Sequence, residues 1–278
     1  MSDTPELQEY FGQPGGQQPG CGFPVAHLMG LFHAATGMVL KMLSAPLRTH
    51  DLSQGVELHP ELRPGDVLVT DRGLCSYTHL ALLAQGGVHA VLRMHQKQMV
   101  NFTPGRPHVE PGKRSAKGQK GLPRSRWVRQ LGPQDQVVHW LKPATCPQWM
   151  SLEQYAQLPE HLRVRELRYR VPQKGFRVEI ITLVTTLVDA DSYRVEDLAD
   201  LFLARWGIET NFGHLKTTMG LDVLKCKTVH GVLKELMVFA LIYHLVRLVM
   251  VQAARRQQVA IERISFYRCD ALAGVRAR

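Results

Sequence analysis

Apolar residues recur along this chain sometimes every second position and sometimes every third or fourth, the two spacings that mark half-buried strands and amphipathic helices. Met1 to Cys21 has neither: GQPGGQQPG supplies turn residues and no hydrophobic period, so an irregular segment is expected. Val25 to Phe32 and Met38 to Leu43 are apolar runs on either side of Ala34-Ala35-Thr36-Gly37, which predicts a β-hairpin. Glu57 to Leu62 reads as a short helix stopped near Pro64 and Gly65. Asp66 to Thr70, DVLVT, has the composition of a short buried strand, Ser76 to Gln85 that of a helix, and Val88 to Met94 that of a second strand. Strand, loop, helix and strand in this order make an α/β unit.

From Gln96 to Arg129 the pattern fades. Pro and Gly recur, and Arg106, Lys113, Arg114, Lys117, Lys120, Arg124, Arg126 and Arg129 are opposed only by Glu110, which predicts a mobile basic loop. Such a loop is either a solvated linker or a contact for a phosphate backbone. Strands are expected at Gln136 to Leu141, at Arg163 to Arg170 and within Phe176 to Val188, a β-branched run beside Gly175. A helix then begins at Val195 or Glu196, with Asp191 and Ser192 available as caps, and carries Leu198 to Gly220. On it Phe202, Arg205, Glu209, Phe212 and Lys216 fall on one face, and Leu201, Ile208, Leu215 and Met219 on a neighbouring apolar stripe. Arg205 and Glu209 are at i and i+4, where a solvated pair contributes only ~0.3–0.5 kcal/mol. Val223 to Thr228 is a short link. His230 to Arg255 is a long helix expected to pack behind the sheet, and Glu262 to Val275 a last short one. Lys234, Glu235, His244 and Arg247 interrupt the apolar run Leu233 to Ala254, so it reads as a core helix and not as a membrane span.

Composition narrows the partners. The 278 residues allow one large domain or a domain with an insertion, and 34 Lys and Arg against 24 Asp and Glu leave a net charge of +10, which favours a polyanion. Cys21, Cys75, Cys146, Cys226 and Cys269 are scattered without a CxxC pair, which argues against a zinc site or a disulfide framework and fits a reducing cytosol. Met1 to Gly22 lacks the apolar core of a secretion signal. The thirteen histidines contain no HExxH, and no phosphate-cradling Gly loop follows a strand.

Candidate chemistry comes from a longer pattern. Phe202, Arg205, Glu209 and Lys216 spell F-x2-R-x3-E-x6-K, and Arg205-Trp206, Ile208, Glu209 and Phe212 spell R-W-x-I-E-x-x-F. Both closely resemble the Y-x2-R-x3-E-x6-K signature of bacterial DDE-type transposases of the insertion-sequence-four group, with Phe202 where the family usually has Tyr. GDVLVTDRG resembles the context of that family's second catalytic aspartate, which would be Asp71. Taken alone, Asp71 reads more readily as an N-cap or turn aspartate. The resemblance implies an α/β fold: an RNase H-like mixed sheet flanked by helices, with a β-rich insertion between the second aspartate and the glutamate. Residues 1–95 would form the first part of that domain, 96–189 the basic loop and insertion, and 190–278 the helical part. The last strand of the insertion would run beside the inserted sheet or lead back to the main one.

The resemblance further implies that Asp71 and Glu209 are catalytic and ligate Mg²⁺ or Mn²⁺ for cutting phosphodiesters in line. Arg205 would orient Glu209 or hold a phosphate, and Lys216 would grip the backbone of the transposon end. Phe202 would retain aromatic packing without the family's hydroxyl, and Arg72, Lys113 and Arg114 complete the expected DNA contacts. Double-stranded DNA is the implied partner, as transposon ends and as target, with a homodimer on DNA in the bacterial cytoplasm and nucleoid and no membrane. The family's first aspartate lies in a D-G-T or D-G-S segment ahead of a stretch like SDTPELQEYFG, with which this chain opens, so the first strand and its aspartate are expected to be missing. Asp3 and Asp51, in Thr49-His50-Asp51, are not expected to replace it, and Asp66, which precedes its strand, is a weaker candidate than Asp71 for the second aspartate. Three readings follow: a Mg²⁺-dependent transposase impaired by that loss, a non-cutting form that binds DNA or full-length transposase and inhibits transposition, or a decayed product without function.

Overall fold

The computed structural model describes residues 1–14, 22–109, 121–171 and 180–272. In chain order the elements are α1 (Pro5–Phe11), β1 (Ala26–Phe32), β2 (Val39–Pro46), α2 (Asp51–Gly55), β3 (Val67–Thr70), α3 (Tyr77–Gln85), β4 (His89–Arg93), β5 (Arg124–Gly132), β6 (Asp135–Leu141), α4 (Leu152–Ala156), β7 (His161–Arg170), β8 (Ile180–Thr185), α5 (Val195–Ala204), α6 (Gly207–Gly213), α7 (Val229–Gln257) and α8 (Phe266–Leu272). They fall into two compact units, one of residues Met1–His50 with Arg205–Arg278 and one of Asp51–Ala204. The changes of composition near residues 95 and 189 therefore lie inside the second unit.

The unit Asp51–Ala204 holds a six-stranded mixed sheet in the order β3-β4-β8-β7-β6-β5. β3 and β4 are parallel, joined through α3, and every other pairing is antiparallel. The strands expected as an insertion thus continue the main sheet, and β8 does both of the things expected of it, pairing with β7 on one side and β4 on the other. α5 lies on this sheet, with Leu198 and Phe202 sunk among Val91, Leu167, Ile181 and Leu183. The basic stretch is shorter than its composition implied. Arg124, Arg126 and Arg129 belong to β5, whose alternation was masked by its charged residues. Arg106 is buried, donating to the Asn101 and Ser125 carbonyls and to Ser125 Oγ. Lys113, Arg114, Lys117 and Lys120 lie outside the described residues, as does Gly175.

In the other unit the predicted hairpin is β1 and β2. Its turn is held by α7: Tyr243 Oη donates to the Gly37 carbonyl at 2.8 Å and Arg247 Nε to the Thr36 carbonyl at 2.7 Å. Gly37 has φ +65°, and a Cβ there would run into the Arg247 guanidinium, so both conformation and space require glycine. α7, expected behind the main sheet, makes its contacts within this unit with α1, β2 and α8. It is the one described helix long and apolar enough to cross a membrane, and its buried seam runs through Val232, Leu236, Tyr243, Val246 and Met250. The N-terminus is also more ordered than its composition suggested. Thr4 caps α1, Pro5 suits the first turn, and Leu7 and Phe11, one turn apart, are fully buried.

Candidate active site

Asp71 stands at the C-terminal end of β3, where open α/β sheets present side chains to ligands. It caps the 3-10 turn Arg72–Leu74 by accepting the Gly73 N–H at Oδ1, 2.8 Å. The capping role expected of an isolated aspartate is therefore met, and the carboxylate remains exposed. Arg72 Nη1 donates to Gln96 Oε1 at 2.9 Å. Asp51, read from sequence as a loop residue, instead opens α2 and comes beside this turn. A Cβ placed on Gly73 would lie 3.1 Å from Asp51 Oδ2 and 3.1 Å from Asp71 Oδ1. The two oxygens are thus no farther apart than twice that distance.

Glu209 lies on α6 in the other unit. The helix expected to run unbroken from Leu198 to Gly220 is interrupted: α5 ends at Ala204, α6 begins at Gly207, and His214–Thr218 form a π-helical turn. At the break the N–H groups of Ile208 and Glu209 bond to the carbonyls of Arg205 and Trp206, three residues back and not four. Gly207, which meets nothing within 4 Å of a would-be Cβ, contributes little to holding a continuous helix here. The predicted apolar stripe is divided accordingly: Leu201 packs in the sheet core, Leu215 and Met219 in the hairpin core.

The motif's C-terminal half stays together. Ile208, Glu209, Phe212, Gly213, Lys216 and Thr217 line an open groove of about 400 Å³ with Leu28 of β1. Glu209 is 57 % exposed at its side chain, with Arg205 Nη2 3.9 Å from its Oε1. That is a charge contact, too long for a strong hydrogen bond. Lys216 Nζ lies 5.7 Å from the centre of the Phe212 ring, a cation–π distance. Phe202 departs from expectation: it is 1 % exposed and fully inside the sheet core, where it can reach no DNA.

The most strongly perturbed groups lie away from these carboxylates. Glu166 of β7, buried in the sheet, accepts from Gln136 Nε2 and Trp140 Nε1, each at 2.8 Å, with Arg106 4.0 Å away. Desolvation pushes its carboxyl above the ordinary glutamate value against those bonds. Beside α2, burial lowers His79, and burial together with neighbouring His79 lowers His59 to about 4. His79 Nε2 faces the Leu52 carbonyl at 2.8 Å and His79 Nδ1 faces His59 Nε2 at 3.0 Å. Because a carbonyl only accepts, His79 carries its proton on Nε2 and His59 donates from Nε2.

Among the described residues no three His, Cys, Asp or Glu side chains gather as a metal cage. The donors that do present themselves are carboxylates, the hard oxygen ligands that Mg²⁺ and Mn²⁺ take: Asp71 at the end of β3 and Glu209 in its groove. Their chemistry fits a divalent ion. The family model for the transposase DDE domain matches residues 3–245, a span that takes in both carboxylate sites and both units. No curated protein matches the chain. The match covers most of the sequence, and the chain belongs to the DDE transposase domain family.

Proposed function

We propose that the protein is an insertion-sequence transposase of the insertion-sequence-four group, cutting and rejoining DNA strands at element ends with Mg²⁺ or Mn²⁺. Membership of the family implies a polynucleotidyl transferase acting on DNA. The observation that carries the finer reading is the groove in which Glu209, Phe212 and Lys216 line one wall within reach of Arg205. In it a carboxylate, able to hold a metal or orient a nucleophile, adjoins a cation able to hold a phosphate. In this reading Asp71 and Glu209 are the catalytic carboxylates, and a homodimer pairs two ends in the bacterial cytoplasm.

Divalent ions held by Asp71 and Glu209 would supply charge neutralisation for the cutting of the phosphodiester. The chain's own residues do the rest. Glu209 fixes the position of the reacting phosphate's surroundings, and Arg205, 3.9 Å from its Oε1, orients that carboxylate. Lys216, exposed in the π-helical turn after α6, binds a backbone phosphate as a point charge, and Arg72 offers a second. Lys113 and Arg114 add to the basic footprint.

The test is divalent-metal-dependent nicking of supercoiled plasmid and of end oligonucleotides. Wild-type chain is expected to nick, Glu209→Ala to bind without nicking, and Lys216→Ala to bind all sequences more weakly with a salt slope lower by about one. A chain that binds ends tightly and never nicks would be the inhibitory binder instead.

A further inference from the structure

Resting on DNA as the substrate in that reading, and going beyond the motif helix and Asp71, we infer that the open face of β5, β6 and β7 is a further DNA contact, where Arg126 and Arg163 hold backbone phosphates and His139 between them takes up a proton when the DNA binds. The antiparallel register fixes the arrangement. Arg126 stands opposite His139 and His139 opposite Arg163, so the three side chains leave one face of the sheet as a row across three strands. In the next row Arg124 and His161 stand on either side of Leu141. The His139 and His161 rings are 4.6 Å apart at their centres, and His108 Nε2 accepts from Arg126 Nε at 3.2 Å. Arg126, Arg163 and His161 are exposed, and His139 is half-buried.

The same strands bury their other face, where Gln136, Trp140 and Glu166 alternate with these residues. An open sheet face is ordinarily solvated by charges of both signs. On these three strands this face carries one carboxylate, Asp135, and Arg165 holds both of its oxygens. Farther along β5, Arg129 has the charge of Asp189 within reach. The row from Arg126 to Arg163 has positive neighbours instead, and like charges directly opposite in an antiparallel pair are destabilising. Burial, and then His161, Arg126 and Arg163, hold the His139 imidazole below its ordinary value. A polyanion laid over the row relieves the repulsion between the arginines and favours the imidazolium between them.

The shape of the cluster selects the anion. Arginines on both sides of the histidine repel a metal ion from it. Arg126 and Arg163 start two strand spacings apart, roughly 10 Å, which is too open to enclose one small anion. One strand of duplex DNA presents a phosphate about every 3.4 Å along the axis, so the row meets neighbouring phosphates of a single backbone. The planar guanidinium fork suits each of them, and the histidine adds a charge only when the phosphates are there.

The experiment uses the whole chain and a fluorescent DNA duplex without divalent ions, with affinity read by anisotropy over a salt series and a pH series. The double variant Arg126→Gln, Arg163→Gln is expected to bind more weakly and to flatten the slope of log K against log salt by roughly 1.8, about 0.9 for each phosphate contact removed. The double variant Arg126→Lys, Arg163→Lys keeps both charges and is expected to restore the slope. Wild-type affinity is expected to rise several-fold as pH falls from about 7.5 to about 5.5, and His139→Asn to lose most of that rise. A slope unchanged in the glutamine variant, or a pH response as large in His139→Asn as in the wild type, would each overturn the inference. Nicking reports on the other reading. A chain that nicks through Glu209 while its salt slope ignores both arginines loses only this surface, and one whose slope falls as expected but never nicks loses only the transposase chemistry.

Discussion

Glu166 and Glu209 are both glutamates with an arginine about 4 Å away, in opposite surroundings. Glu166 is fully buried, and each of its oxygens accepts a hydrogen bond inside the sheet. Glu209 stands in an open groove, held by one long charge contact. A strongly shifted ionisable group is a common pointer to an active site, and by that criterion Glu166 would be chosen. The geometry argues otherwise: a carboxylate enclosed by Trp140, Gln136 and Arg106 ties β6, β7 and the start of the basic segment together, and has no room for a substrate. Arg165 plays a similar part nearby, with a bidentate ion pair to Asp135 at 2.8 and 2.6 Å and a bond to the Tyr193 carbonyl. In this protein the buried charges build the sheet, and the loosely held ones are available for chemistry.

The comparison is most sharply broken or upheld by Glu166→Ala. It strands Arg106, Gln136 and Trp140 in a dry interior, so a loss of about 3–5 kcal/mol in urea unfolding is expected. A loss below 1 kcal/mol would mean that the sheet does not depend on this network. Phe202→Ala should cost a comparable ~3–5 kcal/mol, because it empties a core position. If it spared stability and lowered only DNA affinity, Phe202 would be an interface residue after all.

A smaller effect concerns pH. His59 is depressed from 6.5 to about 4 in the folded chain, so unfolding takes up a proton between those values. Its contribution is fully present above pH 6.5 and is lost as pH falls toward 4. Glu166 has the opposite sign: its raised value makes its contribution greatest below the ordinary glutamate range and diminishing as pH rises through the folded value. Replacing His59 with Asn should therefore flatten the acid limb of the stability curve, and Glu166→Gln the limb above it. The smallest change is expected for Glu209→Gln, within about 0.5 kcal/mol of wild type in unfolding. The same substitution should abolish nicking. A Glu209→Gln chain that melted early would place that residue with Glu166 among the structural charges.

Several parts of this picture were legible in local chemistry. β3, α3 and β4 follow from their apolar runs and from Ser76, whose Oγ accepts the His79 N–H as the cap of α3. Glu209, Phe212 and Lys216 were expected on one face and do line one groove. α1 was missed because a seven-residue helix has little stability of its own and forms here by burying Leu7 and Phe11. The place of Asp51 beside the turn that Asp71 caps was missed because nothing near it in the chain points there. A helix-opening aspartate before Leu-Ser-Gln-Gly was the one available hint.

What the amino-acid order determined alone is what repeats locally: strand and helix periods, caps, the hairpin turn at Gly37, and the spacing from Phe202 to Lys216. These depend on neighbours a few residues away. Tertiary structure alone decided that the motif's helix breaks after Ala204, that Phe202 enters the sheet core while Glu209 stays exposed, and that Asp51 comes beside the turn that Asp71 caps. Those outcomes depend on which apolar faces are buried against one another, and that burial involves residues far apart in the chain, which no local period records.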